Sequence, residues 1–402
     1  MNNFDIIVIG AGIIGLASAF KILERDASLK VCIIEKENSS AQHQTSHNSG
    51  VIHSGIYYKP GSLKSENCLR GYKMMLDFCK QNEVKFDLCG KLIVATDESE
   101  INSLKSLYKR GLANGLKEIE IINEYELRRR EPNINGIQAL YVPYTGITDF
   151  KAVTKKLQTI LQEKGCKIYF NTQVTELNEK KNIVKVTTSK GHFTSSYVIN
   201  CSGLYSDIIA RYTFPDLSIQ ILPFRGEYYY LRQKEKYRIN SLIYPVPETN
   251  FPFLGIHITK TIDGKLETGP NAVPAFSREG YSKKNVNISE LINFITYKGT
   301  LKLFKKYWKT GIKEIKMSFF KDSFLKEVRK FMPQLERRDF TKAFSGVRAQ
   351  ACDIKGNIID DFLIYESERV INVCNAPSPA ATASLSIGKS ISDLLLKKVN
   401  LV

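Results

Sequence analysis

The chain contains no apolar run near the ~18 residues that a membrane-spanning helix requires, so any contact with a membrane is expected to be peripheral. Its opening, MNNFDIIVIG, has no basic segment and leads into a glycine turn instead of a cleavage site, which argues against a secretory leader. The eight cysteines form no CxxC pair and no metal-like grouping with histidine. Several lie in apolar runs such as VCIIE and VINCSG, so buried reduced thiols in a cytoplasmic protein are expected, with no disulfide framework and no metal. Histidine is scarce, five in 402 residues, yet His43, His47 and His53 crowd into one glycine-rich stretch, HQTSHNSGVIHSG. Acidic residues are outnumbered by basic ones, 41 to 58, for a net charge of +17. That charge suits nucleic acid, an anionic membrane surface or small acids, or merely a lysine-rich composition, so its distribution matters more than its sum. A hydrophobic content of 43% excludes a disordered chain, and the length points to two or three domains.

The first forty residues read strand, turn, helix, strand. Phe4–Ile9 is a short apolar run of the kind found in a buried parallel strand. Gly10, Gly12 and Gly15 then fill a GxGxxG pattern, and a helix follows. Gly10 permits the tight turn, Gly12 lets the backbone approach a pyrophosphate, and Gly15 lets helix pack on strand. The helix start at Ile13 and Ile14 offers unpaired N–H groups to phosphates. Glu35, twenty residues past Gly15 and followed by Lys36, ends the second strand and can accept hydrogen bonds from ribose hydroxyls. Dinucleotide binding is therefore expected, with an unphosphorylated ribose.

Strand–turn–helix patterns recur at Ser196–Tyr212 and Val370–Leu396, with hairpin-like strands before the first of them. A nucleotide domain assembled from the ends and middle of the chain, with another domain threaded through it, is the plan of two-domain flavoenzymes. The fingerprint, together with HQTSHNSGVIHSGIYYKPGSLK, PFRGEYY, TGPNAV, SGVRAQ and NAPSPAATASLSIG, resembles the L-2-hydroxyglutarate oxidase/dehydrogenase family. That family falls within the D-amino-acid-oxidase-like, glycine-oxidase-type FAD enzymes. The resemblance spans essentially the whole chain.

It implies an α/β fold, a Rossmann-like FAD-binding domain interleaved with a mostly antiparallel-sheet α+β substrate domain. The expected segments are 1–85, 147–215 and 335–402 for FAD, and 86–146 and 216–334 for substrate. It also implies FAD contacts at Thr45, His47, Asn48, Ser49, Gly50, Val174, Ser202 and Gly203. At Pro379, Ala380, Ala381 and Thr382 a helix N-terminus would face the flavin. The implied reaction oxidises L-2-hydroxyglutarate to 2-oxoglutarate by hydride transfer to flavin N5, while a neutral histidine takes the hydroxyl proton. His53, beyond the glycine turn, and His257, in FPFLGIHITKT, are the two candidates. A 2-hydroxy dicarboxylate needs cationic anchors: Arg348 in FSGVRAQ matches the position at which relatives clamp a carboxylate, and Arg225 in LPFRGEYYYLR is either the second contact or a scaffold residue paired with Glu227. Tyr57, Tyr58 and Tyr229 are candidate hydroxyl donors, although most of the twenty tyrosines are expected in the core. Glycerol 3-phosphate or an amino acid is the alternative substrate; a flavin-containing RNA-binding protein is the remote one.

Residues 297–332 carry eleven Lys/Arg against three acids, with the only tryptophan, Trp308, at the centre. Leu301, Phe304, Trp308, Ile312, Ile315 and Phe319 recur at helical spacing. Such basic amphipathic helices suit an anionic membrane surface and a quinone acceptor, or a solvated face of the substrate domain. No nucleic acid partner is expected. The acceptor, oxygen or quinone, the choice of histidine and the oligomeric state stay open on sequence.

Overall fold

The computed structural model describes residues 2–232, 236–247 and 255–399; the outermost residues of the expected FAD segments, 1 and 400–402, lie outside these. Asn2–Ile9 is the central strand of an eight-stranded sheet, flanked in parallel by Val31–Ile34 on one side and Gly191–Asn200 on the other. Lys167–Tyr169 extends the parallel run past Val31–Ile34, and Val370–Asn375 joins Gly191–Asn200. Side chains alternate across the central strand. Ile6 and Val8 meet Leu16, Phe20, Leu157 and Ile391 of the helices Ile13–Arg25, Phe150–Glu163 and Ala380–Val399. Ile7 and Ile9 face the opposite core with Val186 and Phe193. Apolar on both faces, this strand can only be buried.

A second sheet, nine-stranded and mostly antiparallel, holds Lys91–Ala95, Gln138–Val142, Ile219–Leu231, Leu242–Pro245, His257–Lys260 and Leu266–Gly269. A small antiparallel sheet of Val51–Ile52, Gly146–Thr148 and Phe86–Asp87 sits where the chain crosses between the two. Phe340–Asp353 departs from expectation. The expected FAD segment 335–402 includes it, but it pairs with Ile219–Leu231, from Ile219 opposite Asp353 to Leu231 opposite Phe340. This strand is a partner of the second sheet, and the chain returns to the first only at Leu363–Glu366 and Val370–Asn375. The basic segment is helical as expected: Ile288–Thr296, Lys298–Phe319 with a break at Tyr307, and Lys321–Val328.

Candidate active site

One cavity of about 820 Å³ runs from the glycine turn at Gly10 and Gly12 to a tyrosine- and histidine-lined end beside the second sheet. At the turn, Gly10 has φ +101°, and a Cβ there would stand 2.6 Å from the Cys201 carbonyl oxygen. A Cβ on Gly12 would meet nothing nearer than Thr45 Oγ1 at 3.6 Å, so its open side faces the cavity, as close approach of a pyrophosphate requires. Thr45 Oγ1 accepts a hydrogen bond from the Ile13 N–H at 3.1 Å, so this N–H ties the loop to the helix start and is not the unpaired donor expected for a phosphate. The Glu35 carboxylate accepts from Ala11 N–H at 2.7 Å and Glu37 N–H at 2.9 Å. These bonds fix its orientation and leave each oxygen with acceptor capacity for a ribose. Lys36 pairs with Glu37 and Glu279, and His43 Nε2 lies 3.1 Å from Glu37. Glu37, His43 and Glu279 are close enough together to hold a cation, but the Lys36 ammonium already contacts both carboxylates.

Most expected cofactor positions do line this cavity: Gly10, Gly12, Ile13, Ile14, Glu35, Lys36, Thr45, His47, Asn48, Ser49, Val174, Ser202, Gly203, Pro379, Ala380, Ala381 and Thr382. Gly15 and Gly50 do not. Gly15 packs its Cα against the Gly10 carbonyl, and Gly50 turns the chain beside Thr148. His47 is fixed by its Nδ1, 3.0 Å from the His43 carbonyl, and by its ring against Tyr281 at 4.5 Å. The Thr382 hydroxyl accepts from His53 N–H at 3.0 Å, which joins the start of the last helix to the histidine stretch.

At the far end the cavity is lined by His53, Tyr57, Tyr58, Tyr228, Tyr244, His257 and Arg348. His257 stacks on Tyr244 with centroids 4.1 Å apart, and its Nδ1 lies 3.0 Å from Thr259 Oγ1. Burial holds both imidazoles well below the ordinary histidine range, and the Lys91 ammonium adds to this for each. Arg348 and His53 add further to the effect on His257. Both rings are therefore neutral near pH 7 and can accept a proton. Arg348 reaches this end because its strand passes tightly over the histidine loop: a Cβ on Gly346 would stand 2.3 Å from the His47 carbonyl oxygen.

Two expected residues are elsewhere. Arg225 does not line the cavity; it is buried on the other face of its strand, Nε 3.4 Å from Glu227 and Nη1 3.4 Å from the Gly280 carbonyl. Tyr229 likewise packs into the second core, against Phe324 and Phe340. The period of two along this strand sends Gly226 and Tyr228 to the cavity and Arg225, Glu227 and Tyr229 away from it. Tyr228 and Tyr244 are the lining residues that sequence reasoning missed; the alternation on PFRGEYYYL was the available signal for the first.

A cavity joining a glycine-turn dinucleotide cradle to a pair of neutral histidines and an arginine defines a flavin-type oxidoreductase site. The model of a family described as FAD dependent oxidoreductase, DAO, matches residues 5–394, and the chain belongs to this family. The chain is 46% identical over 397 residues to an L-2-hydroxyglutarate dehydrogenase of Indibacter alkaliphilus, covering 98% of this chain and 100% of that one. With the L-2-hydroxyglutarate dehydrogenase of Escherichia coli it shares 42% over 389 residues, 96% of this chain and 92% of that one. Its fold resembles that of the FAD-bound L-alpha-glycerophosphate oxidase of Mycoplasma pneumoniae, with a TM-score of 0.80 at 23% identity, over 99% of this chain and 95% of that one.

Proposed function

We propose that the protein oxidises L-2-hydroxyglutarate to 2-oxoglutarate with FAD. The observation that carries the reading is that Arg348, His53 and His257 line the same cavity as the dinucleotide cradle, with Arg348 and His53 close enough to act on the His257 ring. The residues present fit the cofactor: Glu35 would hold the ribose, the Gly10–Gly12 turn would admit the pyrophosphate, and Ser49 with the Ala380–Thr382 turn would line the place of the flavin. Bound flavin supplies the acceptor for the hydride from the carbinol carbon. Arg348 binds the carboxylate beside that carbon through its guanidinium fork. His53 or His257 takes the hydroxyl proton, a task for which a neutral imidazole is available at neutral pH. The tyrosines exclude water around the reacting carbon.

Electrons then pass to oxygen or a quinone. Among the described residues no helix is long and apolar enough to cross a membrane. Support for a quinone reached from an anionic membrane surface comes from Lys298–Phe319, whose Leu301, Phe304, Trp308, Ile312, Ile315 and Phe319 are exposed among lysines.

The test is anaerobic. L-2-hydroxyglutarate, D-2-hydroxyglutarate and glycerol 3-phosphate are added separately to the yellow holoenzyme. Bleaching by the L-acid alone is expected. Bleaching by glycerol 3-phosphate instead would move the substrate to the second candidate and sink the first.

A further inference from the structure

Lys91 begins the strand Lys91–Ala95, in a stretch, KLIVA, that reads as core, and its side chain is fully buried. Its Nζ lies 3.9 Å from the ring centroid of Tyr244 and 5.0 Å from that of Tyr57, two residues of the cavity wall. Among the described residues Nζ has no hydrogen-bond partner, and neither has the buried hydroxyl of Tyr57. The groups that bear on the ammonium are the thiols of Cys68 and Cys89, which burial pushes up to about 12 and about 11 and so keeps uncharged. A nearby cation is compensated differently. Lys64, which like Lys91 bears on His53, is paired with Asp360 at 2.6 Å. Ring faces attract a cation but do not neutralise it, and a buried charge without a counter-ion is costly. Burial accordingly brings the lysine down to about 7.

We propose that Lys91, behind the Tyr57–Tyr244 wall, is the counter-charge for the substrate's second carboxylate, and that it selects dicarboxylic over monocarboxylic 2-hydroxy acids. This rests on the reading of the substrate given above and fills the place Arg225 was expected to take. Lys91 is a positioning residue: it acts through the tyrosine wall, with Arg348 at the other carboxylate. The same charge disfavours protonation of His53 and His257, so one ammonium serves substrate choice and proton acceptance together.

A dianion at the wall favours the charged lysine, so binding at pH 8 draws a proton from solution. The experiment uses holoenzyme and two ligands that cannot reduce it, 2-oxoglutarate and 2-oxobutyrate. Affinities are read from flavin absorbance, and proton uptake from calorimetry in buffers of different ionisation heat. The wild type is expected to take up part of a proton with 2-oxoglutarate and clearly less with 2-oxobutyrate. Lys91→Met should weaken 2-oxoglutarate on the order of 10- to 100-fold, as loss of one buried charge partner does. It should leave 2-oxobutyrate within about 2-fold and abolish the uptake; Lys91→Arg should restore much of the dicarboxylate preference. Equal weakening of both acids in Lys91→Met, or an uptake that is the same for both acids in the wild type, would overturn the assignment. The second measurement needs no variant, so it stands even if Lys91→Met fails to fold. A wild-type flavin that L-2-hydroxyglutarate bleaches while either of those results holds condemns Lys91 alone; one that it does not bleach condemns the substrate reading and this one with it.

Discussion

Arg348 and Arg225 carry the same guanidinium on neighbouring strands, yet their surroundings assign them opposite fates. Arg348 lines the cavity, so Arg348→Lys replaces a two-pronged clamp by a point charge. Its kcat/KM should fall on the order of 30- to 100-fold, the worth of two or so kcal/mol of charge-assisted hydrogen bonding. Arg225→Met instead strips Glu227 of one buried partner and leaves it Lys283 at 3.6 Å, which should cost roughly 1–3 kcal/mol of stability while KM of the folded enzyme stays within about 2-fold. A denaturant titration beside steady-state kinetics separates the two. The histidines give a prediction in pH. Their lowered pKa values place the acid limb of kcat/KM below the ordinary 6.5. Replacing the true base by glutamine should remove that limb and roughly 10²–10⁴ of rate, whereas the other replacement keeps it. Stability follows the same sign. Below about pH 6.5 the unfolded chain binds protons that the folded imidazoles refuse, so the folded state loses stability as pH falls. Relative to His257→Gln, the wild type should show a urea midpoint that drops from pH 7 to pH 5. The cavity histidines could be picked out in sequence because rare histidines beside glycine turns stand out locally, whereas Arg225 was misplaced because a guanidinium alone does not say which face of its strand is open. Lys91 could not be picked out, because a lysine opening an apolar strand looks like its solvated end; only the fold reveals the two tyrosines that enclose it.

At the scale of elements, the site depends on helices that touch backbone to backbone. A Cβ on Gly388 would stand 2.5 Å from the Ala17 carbonyl oxygen, so the helices Ile13–Arg25 and Ala380–Val399 meet without an intervening side chain. Both helices begin at the cavity, one at the glycine turn and one at Ala380–Thr382. Gly388→Val should therefore lower the thermal midpoint by several degrees, as a destabilisation of ~1–3 kcal/mol does in a large chain, and should also weaken FAD, because it shifts two walls of one cradle. Titrating apoenzyme with FAD checks the second effect; unchanged affinity with a lowered midpoint would show that the helix starts do not move together. The nucleotide-binding elements were readable from sequence because each strand–turn–helix unit carries its own apolar run and glycine. The partner of Phe340–Asp353 was not. Pairing across more than a hundred residues is decided by which sheet edge remains open, and no local pattern encodes that.

At the scale of the whole molecule, the net charge of +17 acquires a direction from the helix Lys298–Phe319. Leu303 and Met317 pack inward, while Leu301, Phe304, Trp308, Ile312, Ile315 and Phe319 stay exposed, with Ile288, Ile292 and Ile295 exposed on the preceding helix. A stripe that the protein leaves uncovered, bordered by Lys302, Lys305, Lys309 and Lys316, has the composition of a surface that rests on anionic lipid. Nothing in the oxidation chemistry needs these residues, so the two can be tested apart. Trp308, the only tryptophan, is 56% exposed and makes the protein its own reporter. Vesicles containing phosphatidylserine should shift its emission to the blue, whereas phosphatidylcholine vesicles should not. Raising the salt from 0.1 to 0.5 M should weaken the shift, because each lysine at the surface contributes only about 1 kcal/mol and is screened. Ile312→Glu with Ile315→Glu should abolish vesicle binding while L-2-hydroxyglutarate bleaches the flavin at the wild-type rate. A Trp308 spectrum indifferent to anionic vesicles would leave the stripe as a solvated face and make oxygen or a soluble carrier the acceptor to pursue.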